Sequence, residues 1–298
     1  MTSDRSHRLV SLVVLLGIVV GAGVSASGCR DGSGAGRASS RTADGAIDAA
    51  VGYLRSELDE IDTVHLAVVD YLSRNWDLEP LRPARDRARS QLDQQVAAQG
   101  GMQTVEQQLL RRLIDPDAAA PPPDALPSWT DDSMSSAARA AYPLMRALSC
   151  DVSPLTDRDL DAFRALIARG GYDATHVALA IGWISEMGCA DAPVEVLRAD
   201  AVEQIAADLD RGPVEGLDPV NDLSLEQSAM LLYLGARERV PAGWFDEVRA
   251  RQGPDGGWSA GDGESGSRWH ESLLALWTLL QERSTGAEVP MVIAAPRG

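Results

Sequence analysis

The stretch Gln252-Gly-Pro-Asp-Gly-Gly-Trp258, followed after a Gly-rich loop by Ser267-Arg-Trp-His-Glu-Ser-Leu-Leu-Ala-Leu-Trp277, decides how the chain is read. Pro254 and Asp255 set a turn, Gly256 and Gly257 allow positive φ, and Trp258 is large enough to cover the end of a neighbouring helix. Gln252 can tie its amide to a helix terminus exposed beside it. The run after the loop is apolar at helical spacing, so the turn is expected to join an outer helix to an inner one.

Outward from this turn the same alternation recurs. Helices are predicted over Ser135–Leu148, Asp157–Arg169, Ala174–Met187, Pro193–Leu209, Ser224–Arg239, Ala242–Arg251 and Arg268–Gln281, with Pro143 kinking or splitting the first. The short connections carry Gly, Pro or Asp, as antiparallel helix pairs require, and pairs stacked side by side make a solenoid or close into a toroid. Toward the N-terminus, Ile47 to Asn75 reads as two helices broken near Asp59 to Asp62, and Ala84 to Leu113 as two divided by Gly100-Gly101. Asp115 to Ser128 holds Pro116, Pro121, Pro122, Pro123 and Pro127 and must be a linker or long loop. The expected organisation is therefore all-α: helical hairpins over 46–114, a Pro-rich segment over 115–132, a larger helical domain over 133–284 and a tail over 285–298.

The segment from Gln252 through the helix after it is similar to the repeat of squalene and terpenoid cyclases and of protein prenyltransferase β subunits. The resemblance covers about Val240 to Glu282, with Leu223 to Arg251 as a weaker extension, and implies an α/α toroid. It carries fold and not chemistry. Those cyclases protonate their substrate through a DxDD string, and the prenyltransferases hold zinc through Asp, Cys and His with the first two one residue apart. Neither DxDD nor Asp-x-Cys occurs in this chain.

Residues 1–28 have the layout of an export signal: a basic start with Arg5, His7 and Arg8, the apolar run Leu9 to Val20, and small residues from Gly21 to Gly28. Ala26-Ser-Gly-Cys29 resembles a bacterial lipobox, with Ala26 where Leu is more usual. Cys29 is then the lipid-carrying first residue of the mature protein, and 29–45 is a flexible tether. The competing reading is an uncleaved anchor over Leu9 to Ser27. Either way the body is expected outside the cytoplasm, in the cell envelope, touching the membrane only through its N-terminus. Cys150 and Cys189 then remain as an even pair, expected to form a disulfide; the alternative is two separate buried thiols.

The mature chain has three histidines, His65, His176 and His270, each three residues after a candidate N-cap (Asp62, Asp173, Ser267) and before an apolar run. All three are expected at the third helical position. On inner helices of a toroid they would converge at its mouth, His176 and His270 above all, with Glu271 or Asp255 assisting. The competing reading is that they cap helix ends locally, with His65 too far back in sequence to join the others. No cofactor is expected, and a divalent metal on His65, His176 and His270 is the one candidate. The acidic runs Asp157-Arg-Asp-Leu-Asp161 and Glu57 to Asp62 read as solvated helix ends, and Trp183, Trp244, Trp269 and Trp277 as core or hairpin packing in preference to a ligand cage.

A formal net charge of −17 repels phosphate, so nucleic acid is set aside as a partner. No phosphate loop or GxSxG elbow appears. The sequence supports first a membrane-anchored, non-catalytic helical domain that binds a protein, peptide or glycan. The rival is an enzyme acting on a glycan or lipid through His176 and His270.

Overall fold

The computed structural model describes residues 42–129, 134–212, 219–259 and 268–284. The signal, Cys29, most of the tether and the tail lie outside these residues. The described chain is all-α: α1 (Ala43–Glu57), α2 (Thr63–Trp76), α3 (Pro83–Ala98), α4 (Val105–Ile114), α5 (Ser136–Ala147), α6 (Asp157–Arg169), α7 (Gly171–Glu186), α8 (Ala192–Asp210), α9 (Asp222–Tyr233), α10 (Trp244–Ala250) and α11 (Trp269–Arg283). Among the described residues there is no strand, only one isolated bridge between Trp258 and Arg268.

Local chemistry sets most helix ends. Thr42 accepts the Gly45 amide and starts α1 within the segment expected to be tether. Thr104 with Gln107, Thr156 with Asp159 and Asn221 with Ser224 form capping boxes on α4, α6 and α9. The helix expected to run to Arg239 stops at Tyr233, because Gly235 takes φ 81° and its amide and that of Ala236 bond back to the Leu232 and Leu231 carbonyls. Pro143 does not split α5. The expected start of α7 at Ala174 is corrected to Gly171, since Gly170 and Gly171 both take positive φ and let α6 pass directly into α7.

Four helices, α2, α7, α9 and α11, run parallel through the interior, because they meet at both ends. At their C-terminal side Glu186 of α7 accepts the hydroxyls of Tyr71 (α2, 2.5 Å) and Tyr233 (α9). The Trp277 ring of α11 packs on both tyrosines at 6.1 and 5.5 Å. Burial pushes both phenols well above their ordinary pKa, helped by Glu186 at Tyr71 and by Tyr71 and then Glu186 at Tyr233, so they remain hydrogen-bond donors. The other helices flank this row: α3 and α4 on α2, α1 and α10 on α11, α5, α6 and α8 on α7. Every residue of α11 from Glu271 to Gln281 is buried.

The helices expected in two segments, 46–114 and 133–284, share one core. Arg112 of α4 forks onto the Asp151 carboxylate at 2.8 and 2.7 Å beyond the Pro-rich loop. Cys150 and Cys189 lie at disulfide distance, with Cα atoms 6.1 Å apart, joining the ends of α5 and α7. No helix among the described residues is long and apolar enough to cross a membrane.

The Gln252–Trp258 turn fastens the two ends of the domain. Gly256 has φ 95°, and a Cβ there would fall 2.4 Å from the Ala49 carbonyl oxygen of α1. Gly257 does not use the positive φ open to it, and its amide donates to Asp255 Oδ1 at 3.1 Å. Gln252 Nε2 donates to Ala46 O and Gly256 O, both at 2.8 Å, so it grips a carbonyl within the first turns of α1 and not a free terminus. Trp258 Nε1 donates to Val248 O at 2.7 Å, in the last turn of α10, as a cover for that helix end requires.

Candidate functional site

The N-terminal ends of the four inner helices bring polar and aromatic side chains together. His65 is the third residue of α2, and its Nδ1 donates to Asp62 Oδ2 at 2.6 Å, while Asp62 Oδ1 accepts the Val64 and His65 amides. His270 is the second residue of α11 and not the third, because Arg268 is the N-cap. Its Nδ1 donates to Asp222 Oδ1 at 2.5 Å. The other oxygen of Asp222 accepts the Tyr172 hydroxyl of α7 at 2.6 Å. Behind this, Thr175 Oγ1 donates to Glu226 at 2.5 Å.

The rings of His65, Trp269 and His270 touch one another, with centroids 4.7 Å (His65–Trp269), 5.1 Å (His65–His270) and 5.5 Å (Trp269–His270) apart. All three are half-buried. Trp269 packs against the edge of the core while keeping part of its ring exposed, whereas Trp183, Trp244 and Trp277 are buried. His65, which looked too distant in sequence, is the histidine that meets His270. His176 is the sixth residue of α7 because that helix starts early, and its Nδ1 donates to the Tyr172 carbonyl of its own helix at 2.6 Å. The expected pairing of His176 with His270 is thus replaced by His65 with His270.

Burial opposes charge on His270, but the hydrogen bond and charge of Asp222, with Glu226 and Glu271 behind, outweigh it and raise its pKa to about 9. Burial likewise resists ionisation of Asp222, yet His270, the Tyr172 hydroxyl and His65 hold its carboxyl below the usual range. Glu271 is pushed up by burial and by Asp222, against the pull of His270 and Arg268. Tyr172 is raised by burial and by Asp222 and stays a donor. Asp222, His270 and Glu271 each offer a ligand atom within 4.8 Å of the others. Asp255, considered as an assistant to this set, serves the turn by accepting the Gly257 amide.

Asp222 and Tyr172 did not stand out in the sequence. The helix expected from Ser224 starts at Asp222, with Asn221 as its cap, which leaves Asp222 to bond across to residues 48 and 50 positions away. Contacts at that separation leave no periodic trace in the chain. No protein-family model matches the sequence, and no curated protein or solved structure compared with it shows significant similarity.

Proposed function

We propose that this chain is an envelope lipoprotein, anchored through acylated Cys29, whose helical body is a non-catalytic binding module of the α/α-toroid type. It engages a protein, peptide or glycan at the N-terminal face of α2, α7, α9 and α11. The observation that carries this reading is the mutual contact of the His65, Trp269 and His270 rings, half-buried and fixed by Asp62 and Asp222. Aromatic surface already held in place loses little entropy on binding, and the flanking carboxylates add directional hydrogen bonds. The lipobox-like Ala26-Ser-Gly-Cys29 supports the anchor, and the paired Cys150 and Cys189 suit an oxidising compartment.

The test is a glycan and peptide array probed with the purified chain, alongside membrane fractionation of Cys29→Ser. Binding weakened at least tenfold by Trp269→Ala, and release of Cys29→Ser from membranes, are the expected results. The Asp222–His270 pair favours one second reading, an enzyme acting on a glycan or lipid, because an imidazole held through Nδ1 presents Nε2 outward. Turnover of a bound glycan or lipid, lost in His270→Ala, would replace the binding reading with that one.

A further inference from the structure

We infer that Asp222, His270 and Glu271 form a binding site for one divalent transition-metal ion at the N-terminal ends of α9 and α11. The inference deepens the binding reading by naming what that face holds, and it stands whether or not a lipid anchors the chain. Three donors of the right types converge: a carboxylate, an imidazole and a second carboxylate, their ligand atoms within 4.8 Å of one another. Bond lengths of about 2.0–2.2 Å to a zinc-like ion need them to draw in by about 1 Å, within reach of rotamer adjustment.

Helix capping explains one acid here but not the other two. Asp62 accepts two backbone amides and is an ordinary cap. Asp222 gives its oxygens to His270 and Tyr172, because Asn221 caps α9. Glu271 is the independent observation. Its side chain is only 4% exposed and lies within the same set of ligand atoms, where its own backbone amide hydrogen-bonds it and the Arg268 guanidinium pairs with it at 3.8 Å. That guanidinium is itself 45% exposed, so solvent screens its charge. A buried carboxylate is costly unless a positive charge or strong donors compensate it, and a metal ion between Glu271, Asp222 and His270 would do so.

The surroundings suit a nitrogen- and oxygen-liganded transition ion better than calcium or magnesium, which favour all-oxygen shells. The Tyr172 hydroxyl on Asp222 is the kind of outer contact that orients a ligating carboxylate. His65, with its ring 5.1 Å from that of His270, stands beside the site and borders the coordination space.

The experiment uses the full chain, stripped with a chelator and titrated with zinc by calorimetry and with cobalt by visible absorption. One ion per chain is expected, with affinity reduced at least 100-fold in Glu271→Gln and in His270→Asn and within twofold of wild type in His176→Asn. Calcium and magnesium at the same concentration should not compete. Circular dichroism checks that each variant is folded; if His270→Asn is not, Asp222→Asn takes its place. No zinc uptake, uptake that survives Glu271→Gln, or equal loss in His176→Asn each overturns the site. If stripped protein takes no zinc but still binds array ligands through Trp269, the metal inference fails and the binding reading stands. Zinc uptake without any array ligand leaves the metal site standing and overturns the binding reading.

Discussion

Gly182 of α7 lies so close to α9 that a Cβ there would fall 1.9 Å from Cε1 of Tyr233. The ring has little freedom to move aside, because its hydroxyl is held by Glu186 and Tyr71 and its face packs on Trp277. Gly182→Ala should therefore cost about 1–3 kcal/mol through overpacking, read as a lower urea midpoint at constant slope. The cost should shrink in a Tyr233→Leu background, and an unchanged cost there would show that the strain lies elsewhere. Asp159 illustrates a second residue-scale effect. The run Asp157 to Asp161 reads as a solvated helix start, yet Asp159 is buried and accepts Tyr142, the Thr156 amide and hydroxyl, and Arg146. Burial resists its ionisation, but these donors and the Arg146 charge win and hold its carboxyl below the ordinary value. A depressed folded pKa means the stabilisation is present above the unfolded value of about 3.9 and disappears as pH falls through the folded one. Unfolding curves of wild type and Asp159→Ala should differ by about 3–5 kcal/mol near neutrality, because Arg146 is left buried without its partner, and should converge in strong acid. A constant difference down to the lowest pH would exclude this linkage.

At the scale of elements, the best-read helices are those whose ends are written locally. α6 begins and ends where the sequence placed it, since Thr156 and Asp159 box its start and Gly170 stops it. α7 departs from its expected start for a related reason: Asp173 imitates an N-cap, whereas the helix exploits the two glycines before it. That shift of one turn takes His176 out of phase with the other histidines. The histidine cluster itself was only half legible, because His65 and Asp222 reach His270 through helix packing over long separations. The cysteine pair was legible from parity once an oxidising compartment was expected, and its energetic role can be measured. It closes a loop of 39 residues, for which chain entropy predicts a contribution of about 4 kcal/mol. Cys150→Ser with Cys189→Ser should lose about that much stability in chemical unfolding, and added reductant should then change the variant no further. Loss of much less would mean that the packing of α5 on α7 already restricts the unfolded chain.

For the whole molecule, the proline-rich loop separates two segments in sequence that are not separate in space. α11, buried from Glu271 to Gln281, packs against α1, α2, α9 and α10. Gln252 and Gly256 clasp α1, and Arg112 crosses the loop to reach Asp151. Composition alone suggested a boundary at 115–132 because proline forbids helix there, but it carries no information about which helices later share a core. If the core is indivisible, residues 133–284 produced alone expose the flank of α11 that α1 and α2 cover, and should show weak helicity without a cooperative thermal transition. The same chain cut within 117–128 should behave differently. The two pieces should remain associated through size-exclusion chromatography and melt together, because the interface left between them is the hydrophobic core itself and not a docking surface. A cooperative transition in the isolated C-terminal piece would instead make the N-terminal hairpins an accessory layer, and would free the α2 end of the histidine cluster to move independently of α11.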